Sequence, residues 1–338
     1  MATATASRQR TNNIDPRKAR QAFNLYLSGG RGALSLDQRN ALQSSDDSGG
    51  GYLVAPEELA EDVLRDISDN IFIRQHARIR TNIAADSIGI AKRTAKVSTY
   101  VWAQELSQPT FDTSLKLGKK RLHPHPLVGG IKISNDLLRS PLDAEEEVRT
   151  ELAEDAGSTM EDAYMTGDGH QKALGVFTAS SSGISTARDV STGNTTTAIT
   201  YAGLINALFT LPAKYHLGKK DRSGARWAFH PDTVRDIVQL VDGAGQPIFK
   251  WAAGPNGENL LLGLPVDQSD RVPNTMTTGQ YVGILANWWY YNIADSIGME
   301  IQRITELFAQ TNEIAFIHRM RTDGMPIMEE AFVRVKLA

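Results

Sequence analysis

Three glycines, Gly167, Gly169 and Gly175, punctuate the segment GDGHQKALGVF. Glycine-rich loops at helix termini are a device by which backbone N–H groups cradle phosphate. Here the spacing does not complete the motif. A dinucleotide fingerprint needs its third glycine at position 172, which is Lys172, and it must follow a strand, whereas this segment follows a long helical pattern. The LGKK runs beginning at Leu117 and Leu217 lack the upstream glycine and the terminal hydroxyl of a nucleotide-triphosphate loop. The glycines are therefore read as a tight turn that ends a helix and reverses the chain. His123 and His125 in the HPHP run stand two apart and on a strand would share a face, a geometry that could hold a metal. No third ligand is identifiable, because His76, His170, His216, His230 and His318 are scattered. The chain has no cysteine, which removes thiolate nucleophiles, disulfides and cysteine zinc sites. Carboxylates are plentiful but none has a distinctive partner for acid–base work. The aromatic run WWYY, Trp288 to Tyr291, could stack nucleic-acid bases or pack within a sheet, and the lack of interleaved basic residues favours packing. No catalytic residue, cofactor or metal is expected.

The composition bounds what must position these residues. With 338 residues, 41% of them hydrophobic and 22% charged, the chain can form one large domain or two medium ones around a substantial core. A net charge of -3 argues against a globally basic nucleic-acid binder. No run of about 18 apolar residues is present to span a membrane. The N-terminus carries charge without an apolar core, so it does not read as a secretory signal. The absence of cysteine fits a reducing cytoplasm.

Residues 1 to 16 read as a polar arm. Over residues 1 to 20 five basic side chains oppose Asp15, a net +4, which suits a solubilising tail or an arm docking on an acidic neighbour. Short helices are expected from Arg17 to Leu27 and from Ser35, then a linker at 44 to 51, then a helix begun by Pro56 with Leu59, Val63 and Ile67 on one face. IFIRQHARIR alternates like a strand. The residues that follow, as far as IKIS, are poor in apolar clusters and rich in Lys, Thr and Ser. They fit an extended two-stranded excursion, which needs another surface to lie on and so points to an assembly. From Thr81 to Lys120 it carries six basic and three acidic residues, a net +3.

Residues 142 to 165 read as one helix with Val148, Leu152, Ala156, Met160 and Ala163 on its apolar stripe, about 36 Å long at 1.5 Å per residue. Nine acidic residues oppose Arg149 there, a net -8. That face is either solvated or meets the basic arm or excursion of a neighbour. Further on, Thr200 caps a helix carrying Leu204, Ile205, Leu208 and Phe209; RWAFH is a buried strand; and Pro231 opens a helix through Val234, Ile237, Val238 and Val241. DGAGQPIF reads as a turn feeding a strand, and LLGLPV as a short apolar run. YVGILANWWYYNI, MEIQRI, EIAFIHRMR and AFVRVKLA read as strands, with a hairpin turn at Asp323–Gly324. The class is α+β with a largely antiparallel sheet.

Taken in order, GGGYLVAPEE, VWAQE within the basic excursion, the acidic helix closed by GDGHQKALGVF, WAFHPDTVRDIVQLVDGAGQPIF, LLGLPV and RTDGMPIMEEAFVRVKLA resemble the major capsid proteins of tailed bacteriophages, the Hong Kong 97-type fold. The resemblance covers roughly residues 20 to 338. It implies an N-terminal arm (1–48), the start of a peripheral domain (49–79), an extended loop (80–130), peripheral domain with a spine helix (131–198), an axial domain (199–290), and C-terminal strands that are mainly peripheral (291–338). It implies self-assembly, as hexamers and pentamers, into an icosahedral shell around double-stranded DNA bound without sequence preference. Assembly would take place in the host bacterial cytoplasm, with portal and scaffolding or cement proteins as further partners and no membrane. The opposite charges are expected to meet between subunits, with Lys92, Arg93 and Lys96 on one side and Glu145, Glu146, Glu147 and Glu151 on the other. An encapsulin-like nanocompartment shell is the alternative of the same fold, and a soluble enzyme the next. Many members begin with a scaffolding segment that a protease removes; here Met1 leads into the arm, so either scaffolding is a separate protein or the chain is shortened. Some members form Lys–Asn crosslinks assisted by a Glu. Lys92 and Lys96 are candidate amines and Asn312 a candidate acceptor, but His318 and Arg319 stand where the Glu is expected, which implies a non-covalent shell.

Overall fold

The structure is a computed structural model that describes residues 35, 67, 71–83, 87–93, 117–134, 144–218, 224–241, 245–246, 249, 259–296, 300–304 and 307–338. The expected arm and the helices before residue 71, the tip of the excursion and most of DGAGQPIF lie outside these. In chain order the elements are α1 (Phe72–His76), β1 (Arg78–Ile83), β2 (Ile88–Arg93), β3 (Leu117–Leu122), β4 (His125–Ser134), α2 (Ala144–Thr166), β5 (Asp189–Val190), α3 (Tyr201–Thr210), β6 (Arg226–Phe229) and α4 (Pro231–Val238). They continue with β7 (Leu260–Leu261), β8 (Leu264–Gln268), β9 (Tyr281–Ala286), β10 (Tyr291–Ser296), β11 (Glu300–Ile304), β12 (Glu313–Pro326) and β13 (Phe332–Lys336).

The chain divides into two units. The first holds the described parts of Val128–Asp155 and Gly298–Met320. There the N-terminal half of β12 pairs antiparallel with β11, from Glu300 opposite Arg319 to Ile304 opposite Ala315, and β4 pairs with β12 as well. The second holds the described parts of Ser68–Leu127, Ala156–Ile297 and Arg321–Ala338. There the C-terminal half of β12 pairs antiparallel with β10, and β10 pairs parallel with β1. A six-stranded sheet, in the order β5-β13-β9-β6-β8-β7, forms the second unit's other core. β7 and β8 are joined by a two-residue turn with Leu262 and Gly263 both at positive φ, the conformation a tight hairpin requires.

Of the expected apolar stripe of α2, Leu152, Ala156 and Met160 are buried, whereas Ala163 is half-buried and Tyr164 takes its place. Leu152, Ala156, Met160 and Tyr164 recur every four residues and are buried, while Glu151, Glu154, Asp155 and Asp162 are exposed. The Thr200 side chain accepts from the N–H of Gly203, 3.1 Å away, and Pro231 is the first residue of α4, as expected. α3 buries Gly203, Leu204 and Ala207, but Phe209, one of the four apolar residues read along this helix, is 79% exposed.

Three expectations are corrected. IFIRQH does not continue the strand; Phe72–His76 is a short helix and the strand begins at Arg78, because Ile73 and Arg74 are both buried and Arg74 reaches Asp295. YVGILANWWYYNI is not one strand. A 3-10 turn at Trp288–Tyr290 separates β9 from β10, which belong to different sheets. Trp288 is buried there, edge-on to Phe72 at 5.2 Å and to Phe332 at 6.2 Å, so the aromatic run packs the core. Asp323–Gly324 makes no turn; β12 runs straight through it, with Gly324 opposite Ile293. β13 pairs with β9 in the six-stranded sheet, where its Phe332, Val333, Arg334 and Val335 are all buried.

Candidate functional site

The turn after α2 is built from the carbonyls that a helix end leaves without intrahelical partners. The N–H of Gly167 donates to the Ala163 carbonyl at 3.0 Å, that of Val176 to Tyr164 at 3.0 Å and that of Phe177 to Met165 at 2.9 Å. The hydroxyl of Thr178 donates to Thr166 at 3.0 Å, and the Gly175 N–H closes the loop onto the Gly167 carbonyl at 2.8 Å. A Cβ at Gly167 would lie 2.2 Å from the Ala173 oxygen, and one at Gly175 2.5 Å from the Met165 oxygen; Gly169 sits at φ +77°. All three glycines are thus sterically required. The N–H groups of Gly167, Val176 and Phe177 are spent on helix carbonyls, at the negative end of the helix dipole, which is the wrong end for an anion.

Two buried arginines fix the second unit. Arg74 Nη2 donates to Asp295 Oδ2 at 2.7 Å, with both side chains under 4% exposed, and Thr322 donates to the other carboxylate oxygen at 2.8 Å. Burial pulls the Arg74 guanidinium down, but Tyr164 and Asp295 outweigh it and hold the group above its usual value. Arg334, wholly buried, donates through Nε to Asp189 at 2.6 Å, and its Nη2 donates to the Ser185 carbonyl at 2.9 Å. These pairs are structural: each arginine meets its carboxylate inside one unit, although the buried Nη1 of Arg334 has no hydrogen-bond partner.

The excursion is a hairpin at its base. β2 and β3 pair antiparallel from Ile88 opposite Leu122 to Arg93 opposite Leu117. Ile90 and Leu122 bury against Ala294 and Ile327, with Ile88, Met325 and Met328 around them, so the base is anchored in its own unit. Lys120 belongs to this anchor, because its ammonium donates to the carbonyls of Ser182 and, at 2.7 Å, Pro326. That takes Lys120 out of the basic set expected to reach a neighbour. Lys92 and Arg93 lie on β2 opposite Gly118 and Leu117; Lys96 lies outside the described residues. Glu145, Glu146, Glu147 and Glu151 lie on the first two turns of α2, and Glu151 is exposed.

His318 is 1% exposed, packs over Gly129, and its Nδ1 has no hydrogen-bond partner. Burial holds it below the ordinary histidine value, with Asp155 opposing in part. Arg319 donates to the Gln302 side chain at 3.2 Å, and Asn312 is exposed at φ 57°. His123 is exposed, and its backbone N–H donates to Asp323 at 2.7 Å. No group of three or more metal-ligating side chains occurs among the described residues. The sequence reading passed over Arg78 and Arg80; their only signal is the R-x-R spacing of ARIR on an alternating stretch, which puts both on one face of β1.

A hairpin excursion, a long acidic helix closed by a glycine turn and two sheet cores make up the described structure. A model of the phage capsid family matches residues 50–337, and the chain belongs to that family; it is a major capsid protein of the tailed-phage kind. Among solved structures it is similar to the capsid of a native GTA particle, at 19% identity and a TM-score of 0.64 over 81% of this chain and 90% of that one. It is similar also to the capsid of an empty GTA particle, at 20% identity and a TM-score of 0.62 over 79% and 89% of the two chains. A structure from Gordonia phage Cozz shares 16% identity with a TM-score of 0.53 over 79% and 86%. At these identities the likeness establishes the fold, the α+β capsid fold expected from the sequence. No curated protein matches the chain.

Proposed function

We propose that this capsid protein assembles as hexamers and pentamers into an icosahedral shell that encloses double-stranded DNA without reading its sequence, and that assembly takes place in the bacterial cytoplasm. The observation that carries the reading is the hairpin of β2 and β3. Its base is buried in its own subunit, while its outer residues Lys92 and Arg93 lead into the rest of a basic excursion. In this reading 1–48 is the arm, 80–130 the extended loop and α2 the spine helix. The segments 49–79 and 131–198 are peripheral, and 199–290 forms the axial domain together with β13. Lys92, Arg93 and Lys96 of one subunit meet Glu145, Glu146, Glu147 and Glu151 of the next. Each exposed pair is worth only about 0–1 kcal/mol, but a closed shell repeats it in every subunit. Portal and scaffolding or cement proteins complete the particle.

The shell is held without covalent crosslinks. An isopeptide bond needs a neutral lysine and a base beside it. Arg319 cannot serve as that base, and His318 is buried over Gly129. The purified chain, sedimented through a gradient over a range of concentrations, is expected to run as rings or closed particles. A monomer that persists at high concentration, with scaffold supplied as well as without it, contradicts the reading.

A further inference from the structure

β1 carries a pair of like charges, Arg78 and Arg80, that meet no carboxylate among the described residues. Arg78 and Arg80 point from one face of an edge strand, opposite Asn292 and Ala294 of β10. Arg78 is exposed, with its guanidinium 5.6 Å from the centre of the Trp289 ring. Arg80 is half-buried, and its Nε is shielded from solvent with no acceptor. Among the described residues neither arginine has a carboxylate partner. The acid in the same cross-strand row, Asp323 opposite Ala294, is two strands away, roughly 9–10 Å. Its oxygens are already taken by the N–H groups of His123, at 2.7 Å, and Gly324, at 2.8 Å. Burial first, and then the neighbouring Arg78 charge, hold the Arg80 guanidinium below its usual value. An opposite charge beside the pair would offset the repulsion between them.

The complement exists in the same chain. Glu151 and Asp155 on α2 are exposed and in no ion pair among the described residues. One helical turn apart, they rise about 6 Å along one face, and two residues on a strand span about 6.7 Å. The geometry points to a contact between copies in which Arg78 and Arg80 of one subunit grip Glu151 and Asp155 on the spine helix of another, beside Trp289. This rests on the reading of the chain as a shell subunit and names a second contact, distinct from that of the hairpin.

The test is a charge exchange with a cysteine crosslink beside it. Full-length Arg78→Glu/Arg80→Glu and Glu151→Arg/Asp155→Arg chains are each expected to lose at least about tenfold in shell yield at low salt while keeping the subunit's circular dichroism. Combining all four changes is expected to restore most of the yield. The chain has no native cysteine, so a mixture of Arg78→Cys chains with Glu151→Cys or Asp155→Cys chains is expected to give a reducible dimer band in assembled particles. That readout remains valid if a charge reversal misfolds. Unchanged yield in both reversals, reversals that fail to rescue each other, or no mixed disulfide in any pairing would overturn the contact. Particles that form normally from Arg78→Glu/Arg80→Glu chains but retain less double-stranded DNA would also overturn it, and would assign the arginines to nucleic acid. Wild-type chains that form no particle at all would instead remove the shell reading beneath it.

Discussion

Tyr291 and Tyr164 close over Gly324, and a methyl group there would lie 2.7 Å from the Tyr291 hydroxyl oxygen and 3.0 Å from a Tyr164 ring carbon. The pair of rings, 5.7 Å apart and steeply inclined, needs the missing side chain. Replacing glycine within an ordinary strand gains stability, so Gly324→Ala separates two accounts. Here overpacking is expected to win, costing about 1–3 kcal/mol in urea unfolding; a stabilised variant would refute the packing argument. His318 supplies a pH test. Its folded value lies below the ordinary one because it is buried. As pH falls through about 6.5 the unfolded chain takes up a proton that the folded chain resists, so stability drops until the depressed folded value is passed. His318→Leu is therefore expected to show a smaller fall in Tm between about pH 7.5 and 5.5 than the wild type. An equal fall would mean that other groups carry the acid sensitivity.

At the scale of elements, what the sequence made legible is what local chemistry determines. The ends of α2 come within two residues of expectation because a strong four-residue apolar rhythm stops at a glycine turn. The Thr200 and Pro231 starts are equally local. The misreadings came from distant partners. Asp323–Gly324 has the composition of a hairpin turn, but its pairing with Ala294 and Ile293 of β10 keeps it in the strand. IFIRQH alternates, but Arg74 is drawn to Asp295, far along the chain. Of the candidate site, the glycine turn was legible, as was the hairpin, whereas the role of Lys120 as an internal anchor was not: a lysine's charge does not reveal which carbonyls it will meet. The hairpin and the helix carry their own prediction. Lys92→Glu/Arg93→Glu/Lys96→Glu is expected to leave the subunit folded and to cut particle yield severalfold, the deficit being largest at low ionic strength. Equal yields across a range of salt would rule out the charge contact.

For the whole molecule, a net charge of -3 hides a division between a basic arm and excursion and an acidic helix. A division of that kind has little use within one subunit and much use between identical ones. The absence of cysteine makes the shell's locking easy to read on a denaturing gel. Boiled particles are expected to give a single band near 37.0 kDa, and a ladder of oligomers would reveal crosslinks through other groups. The central claim is assembly itself, and cryo-electron microscopy of particles formed by the purified chain tests it most directly. The account predicts closed shells whose reconstructed surface shows rings of five and of six copies, with the hairpin of each subunit lying on a neighbour. A monodisperse population of monomers or small open oligomers, at concentrations where capsid subunits should close, would contradict it.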